Sequence, residues 1–243
     1  MTLSTLDYIN GIFGSLFVII TIFLGFKIII KYLKVKDVNY LLVGFFIMLL
    51  SCGWYGTSLS FVIAVITGGD GLSYEVILLL NFIPLPFCFI SWMTAFTNFL
   101  YKKKQKIILS IFVIGVSILY LTFLYILFTD SKLIGEKISP VDTKTDNLLL
   151  IFMLFSIILI VLLTGLKFAI DTLHINNPET KLKGKLLLFA FPLFVIAAFL
   201  DAAMPTIAIT LIIFRSILIT SALLLYCAFA LPNWLKKILI KKQ

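Results

Sequence analysis

The chain has little charge, little cysteine and almost no histidine for its 243 residues. Charged residues make up 13% of it and hydrophobic residues 62%, whereas an ordinary soluble domain has about 25% and about 45 to 50%. A mean hydropathy of +1.17 is spread over the whole length, which excludes a soluble catalytic domain of about 100 residues. The sequence therefore predicts a polytopic membrane protein.

Several kinds of chemistry lack the residues that they need. The one histidine, His174, cannot build a multi-histidine zinc site by itself, and the sequence contains no phosphate-binding loop or nucleophile elbow. The last apolar stretch holds Arg215 but no lysine for a retinal Schiff base, and the three cysteines lie inside apolar stretches, which argues against a disulfide framework. We expect no catalytic residue, no metal, no cofactor and no enzymatic activity.

Several apolar stretches are long enough to cross a bilayer as helices, for which about 20 residues are needed. Their continuous apolar runs lack the alternation typical of the strands of a membrane barrel, and the first stretch lacks the features of a removable signal peptide. We therefore predict a single all-α domain, a bundle of seven transmembrane helices. The predicted spans cover residues 8–30, 40–66, 76–100, 107–128, 148–172, 186–204 and 206–231.

The placement of lysine predicts the orientation of this bundle. Sixteen of the twenty basic residues lie in or beside the first, third and fifth connections and the C-terminal tail, whereas the other connections are mostly acidic. By the positive-inside rule, the N-terminus is outside a cell membrane and the C-terminus inside, which requires an odd number of spans. The net charge of +9 then indicates contact with anionic lipid on the cytoplasmic side. Nucleic acid is not expected as a partner, because no soluble face exists to bind it.

Two segments outside the spans have patterns of their own. Residues 129–147 form the longest connection and are expected to be a solvated external loop. Residues 233–243 place apolar side chains at helical spacing opposite four lysines, which is typical of an interfacial amphipathic helix. We expect this tail to anchor on anionic lipid, the alternative being that it docks an acidic cytoplasmic partner.

The single arginine is the most informative residue of the sequence. Arg215 lies near the middle of the last predicted span, where a charge costs at least about 2.5 kcal/mol, so it should face the interior of the bundle. Asp201 lies near the end of the preceding span, and the very short connection makes the two helices neighbours. We predict an Asp201 and Arg215 pair, with Asn81 of the third span as a candidate third member. Pinning or gating of helices is expected in preference to direct ligand contact.

Prolines and central aromatic residues mark departures from regular helix. Pro84 and Pro86 in the third span and Pro192 in the sixth each remove an amide donor. Both helices are expected to kink and to be candidate walls of an outward-facing pocket, unless the kinks are purely static. Trp54 and Tyr55 lie at the centre of the second span rather than at the interface, where such residues gather. They predict either a pocket floor or close packing against a neighbouring helix.

With this layout, the chain resembles the seven-helix sensor module at the amino terminus of some prokaryotic histidine kinases. The residues that carry the resemblance are LLSCGWYG in the second span, PLPFCFISWMTAFTNFLYKKKQ closing the third, and ETKLKGKLLLFAFPLFVIAAFLDA leading into the sixth. Only a short tail follows the last predicted span, so a kinase domain is expected to be absent. The resemblance implies a sensor that signals through a separate protein.

We therefore expect a receptor-like or sensory membrane protein without catalysis of its own. It would bind a small or lipidic ligand in a cavity in the outer half, between the third, sixth and seventh helices, and act through a cytoplasmic partner. The alternative is a small transporter or channel that moves a solute past Asp201 and Arg215, and an oligomer or an accessory subunit is a third reading. A polar pathway reaching both faces would favour transport, whereas a site closed at the inner side would favour a sensor.

Overall fold

Helices make up most of the computed structural model, which describes residues 3–204 and 206–240. They are α1 (Thr5–Val35), α2 (Val38–Leu49), α3 (Tyr55–Thr67), α4 (Tyr74–Phe82), α5 (Leu85–Leu100), α6 (Gln105–Thr129), α7 (Leu148–His174), α8 (Pro178–Ala203), α9 (Ala208–Ala230) and α10 (Asn233–Leu239). Between α6 and α7, strands β1 (Gly135–Lys137) and β2 (Thr143–Thr145) pair antiparallel as a hairpin.

Within the described residues, seven helical segments are long and apolar enough to cross a membrane. The second segment consists of α2 and α3 and the third of α4 and α5, while α1 and α7 to α9 are single helices. The prediction of an all-α fold with seven candidate spans is thereby confirmed. The described start of the chain and α10 lie at opposite ends of the bundle, as an odd number of spans requires.

Short polar side chains set where several helices begin. The side chains of Asp37, Ser73, Asn147 and Asn177 each accept a hydrogen bond from a backbone amide in the first turn of α2, α4, α7 and α8. The cap at Asn177 explains why α8 begins at Pro178 and not at residue 186. The lysine-rich first turns continue the helix beyond the apolar part, and the predicted span bounds of 186–204 stay a prediction.

The second span is broken, although its sequence predicts one helix over residues 40–66. A 3₁₀ turn, Cys52–Trp54, separates α2 from α3. The Tyr55 hydroxyl donates a hydrogen bond to the Met48 carbonyl at 2.6 Å, and the hydroxyl oxygens of Thr21 and Ser51 lie 2.6 Å apart. The first of these bonds gives the Met48 carbonyl a hydrogen-bond partner, and the second gives the Ser51 hydroxyl one. Polar groups at a helix break inside a membrane need such partners.

The prolines act differently in the two spans that contain them. The third span is interrupted between α4 and α5, where Pro84 precedes the first residue of α5 and Pro86 occupies its first turn. In the sixth span, α8 continues without interruption through Pro192. The helix is thus interrupted at Pro84 and not at Pro192, and the expected kinks at Pro84, Pro86 and Pro192 stay predictions.

The two ends of the bundle differ in charge and in structure. At the hairpin end, defined by β1, β2 and the connection between α3 and α4, the Lys137 ammonium donates to the carbonyls of Asp70 and Leu72 at 2.6 Å each. At the lysine-rich end, defined by the α1–α2, α5–α6 and α7–α8 connections and α10, Lys31 donates to the Ala230 carbonyl at 2.6 Å. Most of the described lysines thus gather at one end of the fold, while Lys132, Lys137 and Lys144 lie at the hairpin end.

The connection over residues 129–147 contains a hairpin and a few buried residues, so it is only in part the solvated loop that was expected. Ile134 and Val141 are fully buried, and Ile134 packs in a cluster with Leu78 and Phe123. The Ser60 hydroxyl of α3 donates to the Pro140 carbonyl at 2.5 Å. Two apolar residues inside a polar stretch are enough to fix this segment as a cap over the hairpin end.

Aromatic side chains fill the centre of the bundle. Phe46, Trp92 and Phe191 are each at most 2% exposed, and the ring centroid of Trp92 lies 5.0 Å from that of Phe46 and 4.8 Å from that of Phe191. The Trp92 indole donates to the Thr164 hydroxyl at 2.9 Å, which satisfies its polar atom. This central aromatic cluster separates the two ends of the bundle.

The predicted amphipathic tail is helical as far as the structure describes it. In α10, Leu235 is buried whereas Trp234 and Ile238 are exposed. Lys236 forms an ion pair with Glu179 at 2.7 Å, which ties the tail to α8. Residues 241–243 of the predicted segment lie outside the described residues.

Candidate functional site

Arg215 is buried in α9, with only 4% of its surface exposed. A guanidinium in an apolar bundle needs partners, because burying an isolated charge costs several kcal/mol. Its Nε lies 3.6 Å from Asp201 Oδ1 of α8, and both side chains are almost fully buried. The structure therefore brings together the two residues that the sequence pairs.

The bonding of this ion pair is incomplete. Neither Arg215 Nε nor Asp201 Oδ1 has a hydrogen-bond partner among the described residues. Arg215 Nη1 instead donates to the Asn10 carbonyl at 2.5 Å. Asn10 lies on α1 and is 2% exposed, so the arginine connects a third helix to α8 and α9.

Trp54 supplies the other partner of Asp201. Its indole nitrogen donates to Asp201 Oδ2 at 3.0 Å, and its ring packs edge-on against Phe17 with centroids 5.1 Å apart. Trp54 is the last residue of the 3₁₀ turn in the second span. The break in the span therefore positions the donor, which explains a tryptophan far from the membrane interface.

A glycine makes room for the guanidinium. A Cβ atom at Gly14 would lie 2.9 Å from Arg215 Nη1 and 3.5 Å from Ser58 Oγ, so a side chain there would collide with the arginine. Ser58 Oγ and Asn10 Oδ1 are buried without a hydrogen-bond partner among the described residues. The site thus retains unused hydrogen-bonding capacity beside a charged group.

Asp142, from the segment between β1 and β2, adds a second carboxylate. It lies within electrostatic reach of both Arg215 and Asp201. Burial raises the pKa of the Asp142 carboxyl, an effect that the backbone hydrogen bond at Thr143 and the attraction of Arg215 oppose. We call Arg215, Asp201, Trp54, Asn10 and Asp142 the Arg215 cluster.

Two of the predicted site residues lie elsewhere. Asn81 Oδ1 accepts a hydrogen bond from the Gly56 amide at 2.7 Å, and no bond among the described residues joins it to Asp201 or Arg215. Its expected place as a third member of the pair is corrected: it supports the start of α3 after the break. Tyr55, with its bond to Met48, has the same structural role.

Sequence reasoning missed Asn10 and Asp142 as members of the cluster. Asn10 has the same signal that drew attention to Asn81, an amide side chain inside an apolar span, and that signal could have found it. Asp142 has none, because its approach to Arg215 depends on how the hairpin segment folds back over the bundle.

The Arg215 cluster combines buried charges with unused hydrogen-bonding atoms. With both carboxylates ionised it carries one net negative charge, and it has both acceptors and a donor to spare. Among the described residues, no group of three or more His, Cys, Asp or Glu side chains is placed to hold a metal ion. A further polar group that reached the cluster would compete with the contacts between α1, α8 and α9.

A cleft lies at the other end of the bundle. It has a volume of about 240 Å³ and is lined by residues that include Tyr40, Phe168 and Lys183. The expected cavity between the third, sixth and seventh helices in the outer half stays a prediction.

Comparison of the chain with protein-family models, with curated proteins and with solved structures gives no match. The resemblance to the sensor module of histidine kinases therefore stays a prediction from the sequence.

Proposed function

We propose that the chain is a receptor-like or sensory multi-pass membrane protein and that the Arg215 cluster is its responsive site. One observation carries the proposal: Arg215 and Asp201 are buried together, yet Nε and Oδ1 lie 3.6 Å apart, beyond full hydrogen-bond distance, and have no other partner among the described residues. An ion pair that served only to pin two helices would gain stability from complete bonding. An incompletely bonded pair leaves atoms with which a small polar or amphiphilic ligand can bond.

The proposal places the hairpin end outside the cell, following the distribution of lysine. A ligand that displaced Asn10 or Trp54 from the charged pair would change how α1 and the second span pack against α8 and α9. The far end of α9 carries Ala230, whose carbonyl binds Lys31. A movement of α9 would therefore alter the lysine-rich end, where a separate cytoplasmic partner would read the change.

The central aromatic cluster favours this proposal over a transporter or channel. Transport past Asp201 and Arg215 requires a polar route that continues to the opposite face. Beyond the Arg215 cluster the core contains the packed rings of Phe46, Trp92 and Phe191, and the buried hydroxyls of Thr21, Ser51 and Ser221 are each hydrogen-bonded within the protein. Opening such a route would require these close-packed rings to separate.

Thiol accessibility in sealed vesicles of known orientation tests the proposal. Cys52, Cys88 and Cys227 are first replaced by alanine, and Ser58→Cys then places a thiol beside the guanidinium. We expect a membrane-impermeant reagent to label it from the hairpin side only. Labelling from both sides would favour transport, and labelling from neither would contradict ligand access to the cluster. Thr172→Cys, at the lysine-rich cleft, is the matched control and should be labelled only from the opposite side.

A further inference from the structure

The cleft at the lysine-rich end combines aromatic walls with a basic rim. Phe99, Phe168 and Phe229 line one side, where the rings of Phe99 and Phe168 stack with centroids 5.0 Å apart and those of Phe168 and Phe229 with centroids 6.1 Å apart. Phe99 is 41% exposed and Ile175 52% exposed, so apolar surface extends from the cleft to the outside of the bundle. Such a surface fits a hydrocarbon chain.

Two lysines at this rim are not neutralised. Lys183 lines the cleft, and Lys31 lies over the ring of Tyr40, another lining residue, with its ammonium 5.2 Å from the ring centroid. Lys31 lies within electrostatic reach of Lys183 and Lys236. Within the described residues neither Lys31 nor Lys183 forms an ion pair: Lys31 donates to a carbonyl, and Lys183 lies within electrostatic reach of Glu179, which is itself paired with Lys236.

The acidic groups at the rim are already engaged. Glu179 pairs with Lys236 at 2.7 Å, and Asp37 Oδ1 accepts a hydrogen bond from the Asn39 amide at 2.9 Å, which caps α2. With Lys31, Lys183 and Lys236 against the carboxylates of Glu179 and Asp37, the rim keeps one net positive charge in a place that is partly withdrawn from solvent. Such a charge is most stable beside an anion.

We propose that this cleft binds one molecule of an anionic membrane phospholipid. The phosphate lies between Lys31 and Lys183, and the upper part of one acyl chain lies against Phe99, Phe168 and Phe229. An anionic lipid matches both halves of the cleft, because it joins a phosphate to a hydrocarbon chain at the depth where lysines meet headgroups. The proposal does not depend on the function assigned to the Arg215 cluster.

Lipid retention by the full-length protein tests the proposal. The protein, purified in a neutral detergent, is titrated with phosphatidylglycerol or phosphatidylcholine, and the bound lipids are counted by native mass spectrometry. We expect one phosphatidylglycerol to bind tightly. Changing both Lys31→Gln and Lys183→Gln should weaken it about 30-fold, because each lysine contributes about 1 kcal/mol and 1.4 kcal/mol is tenfold.

The control pair Lys102→Gln and Lys103→Gln removes the same charge from exposed positions at the same end and should weaken binding less than about threefold. If it weakens binding as much as the cleft pair, general surface attraction explains the result and the proposal is wrong. Equal retention of phosphatidylcholine would also overturn the proposal. An increase in the melting temperature of the protein with inorganic phosphate that equals the increase with phosphatidylglycerol would overturn it as well.

A second variant covers the case in which the lysine changes impair folding. Thr180→Trp fills the cleft without altering its charge, since Thr180 is a lining residue, and it should abolish tight phosphatidylglycerol binding. Thr220→Trp, at an exposed position of α9, should leave binding intact. Melting temperatures in phosphatidylcholine establish that each variant is folded. Unchanged lipid binding by a folded Thr180→Trp protein would refute the proposed location.

Discussion

The indole N–H of Trp54 donates a hydrogen bond to Asp201 Oδ2 at 3.0 Å, across 147 positions of sequence. The other carboxylate oxygen, Oδ1, faces Arg215 Nε at 3.6 Å. The Asp201 side chain therefore links the break in the second span to the seventh span. The irregular backbone of the second span and the charge inside the last one belong to a single arrangement.

Removing the indole donor should weaken this arrangement. Trp54→Phe keeps a ring to pack against Phe17 but leaves Asp201 Oδ2 unpaired, which should lower the free energy of unfolding by about 1 to 3 kcal/mol. Equilibrium unfolding in detergent measures the effect. In an Asp201→Ala background the same change should cost clearly less, and an equal cost in both backgrounds would show that the lost bond is not the cause.

A double-mutant cycle on the charged pair tests whether its members interact. Arg215→Ala and Asp201→Ala should each lower the free energy of unfolding by about 3 kcal/mol or more, because each strands a buried charge. The double variant should recover part of that loss. Lys167 and Asp171, an exposed pair one helical turn apart on α7, serve as the control, with a coupling of about 0.5 kcal/mol or less. Additive losses at Arg215 and Asp201 would mean that the two act independently.

Adding a single methyl group should show how tightly the guanidinium is held. Gly14→Ala places a Cβ atom 2.9 Å from Arg215 Nη1, so the arginine must move, at a cost of about 1 to 3 kcal/mol in stability. Gly115→Ala is the matched control on α6, because its Cβ would meet nothing within 4 Å. That change should be neutral or stabilising by up to about 1 kcal/mol. Equal effects of the two changes on unfolding would indicate that the space around Arg215 is not limiting.

The charged pair could be predicted from the sequence because a few residues decide it. A guanidinium in the middle of an apolar span must be paired, and the short connection before α9 leaves α8 as its neighbour. The free-energy cost of burying a charge and the length of the connection between two helices can both be judged from the sequence. The same holds for the interruption at Pro84, since proline lacks the amide that continues a helix.

The break at Ser51 to Trp54 was not readable from the sequence. No proline occurs there, and Ser51 and Gly53, which are weak helix formers, do not by themselves fix where a helix breaks. The break is stabilised by groups that are distant in sequence, namely the hydroxyl of Thr21 and the amide side chain of Asn81. The approach of Asp142 to Arg215 was not readable from the sequence either. It depends on how the segment that contains the buried Val141 folds over the bundle, and not on any local pattern.

The orientation of the bundle is open to a direct measurement. In a background without Cys52, Cys88 and Cys227, Glu136→Cys at the hairpin should be labelled by an impermeant thiol reagent applied to intact cells. Lys103→Cys, exposed at the opposite end, should be labelled only after the cells are opened. The positive-inside rule requires this pattern, and the reverse pattern would invert the topology and place the Arg215 cluster in the cytoplasmic half.

The pH dependence of the free energy of unfolding should show the effect of burying the Asp142 carboxyl. Burial raises its pKa above the ordinary value of 3.8, so the folded protein binds the proton more tightly than the unfolded chain does. The resulting stabilisation is complete below that ordinary value and is lost as the pH rises through the pKa of the folded state. Asp142→Asn should therefore be more stable than the native protein at pH 7, and the advantage should shrink towards pH 4. Unfolding in detergent between these pH values measures the difference.

Glu136→Gln, which removes an exposed hairpin carboxylate, controls for the loss of one negative charge. A variant less stable than the native protein at pH 7, with a deficit that shrinks towards pH 4, would show that attraction to Arg215 outweighs burial at Asp142.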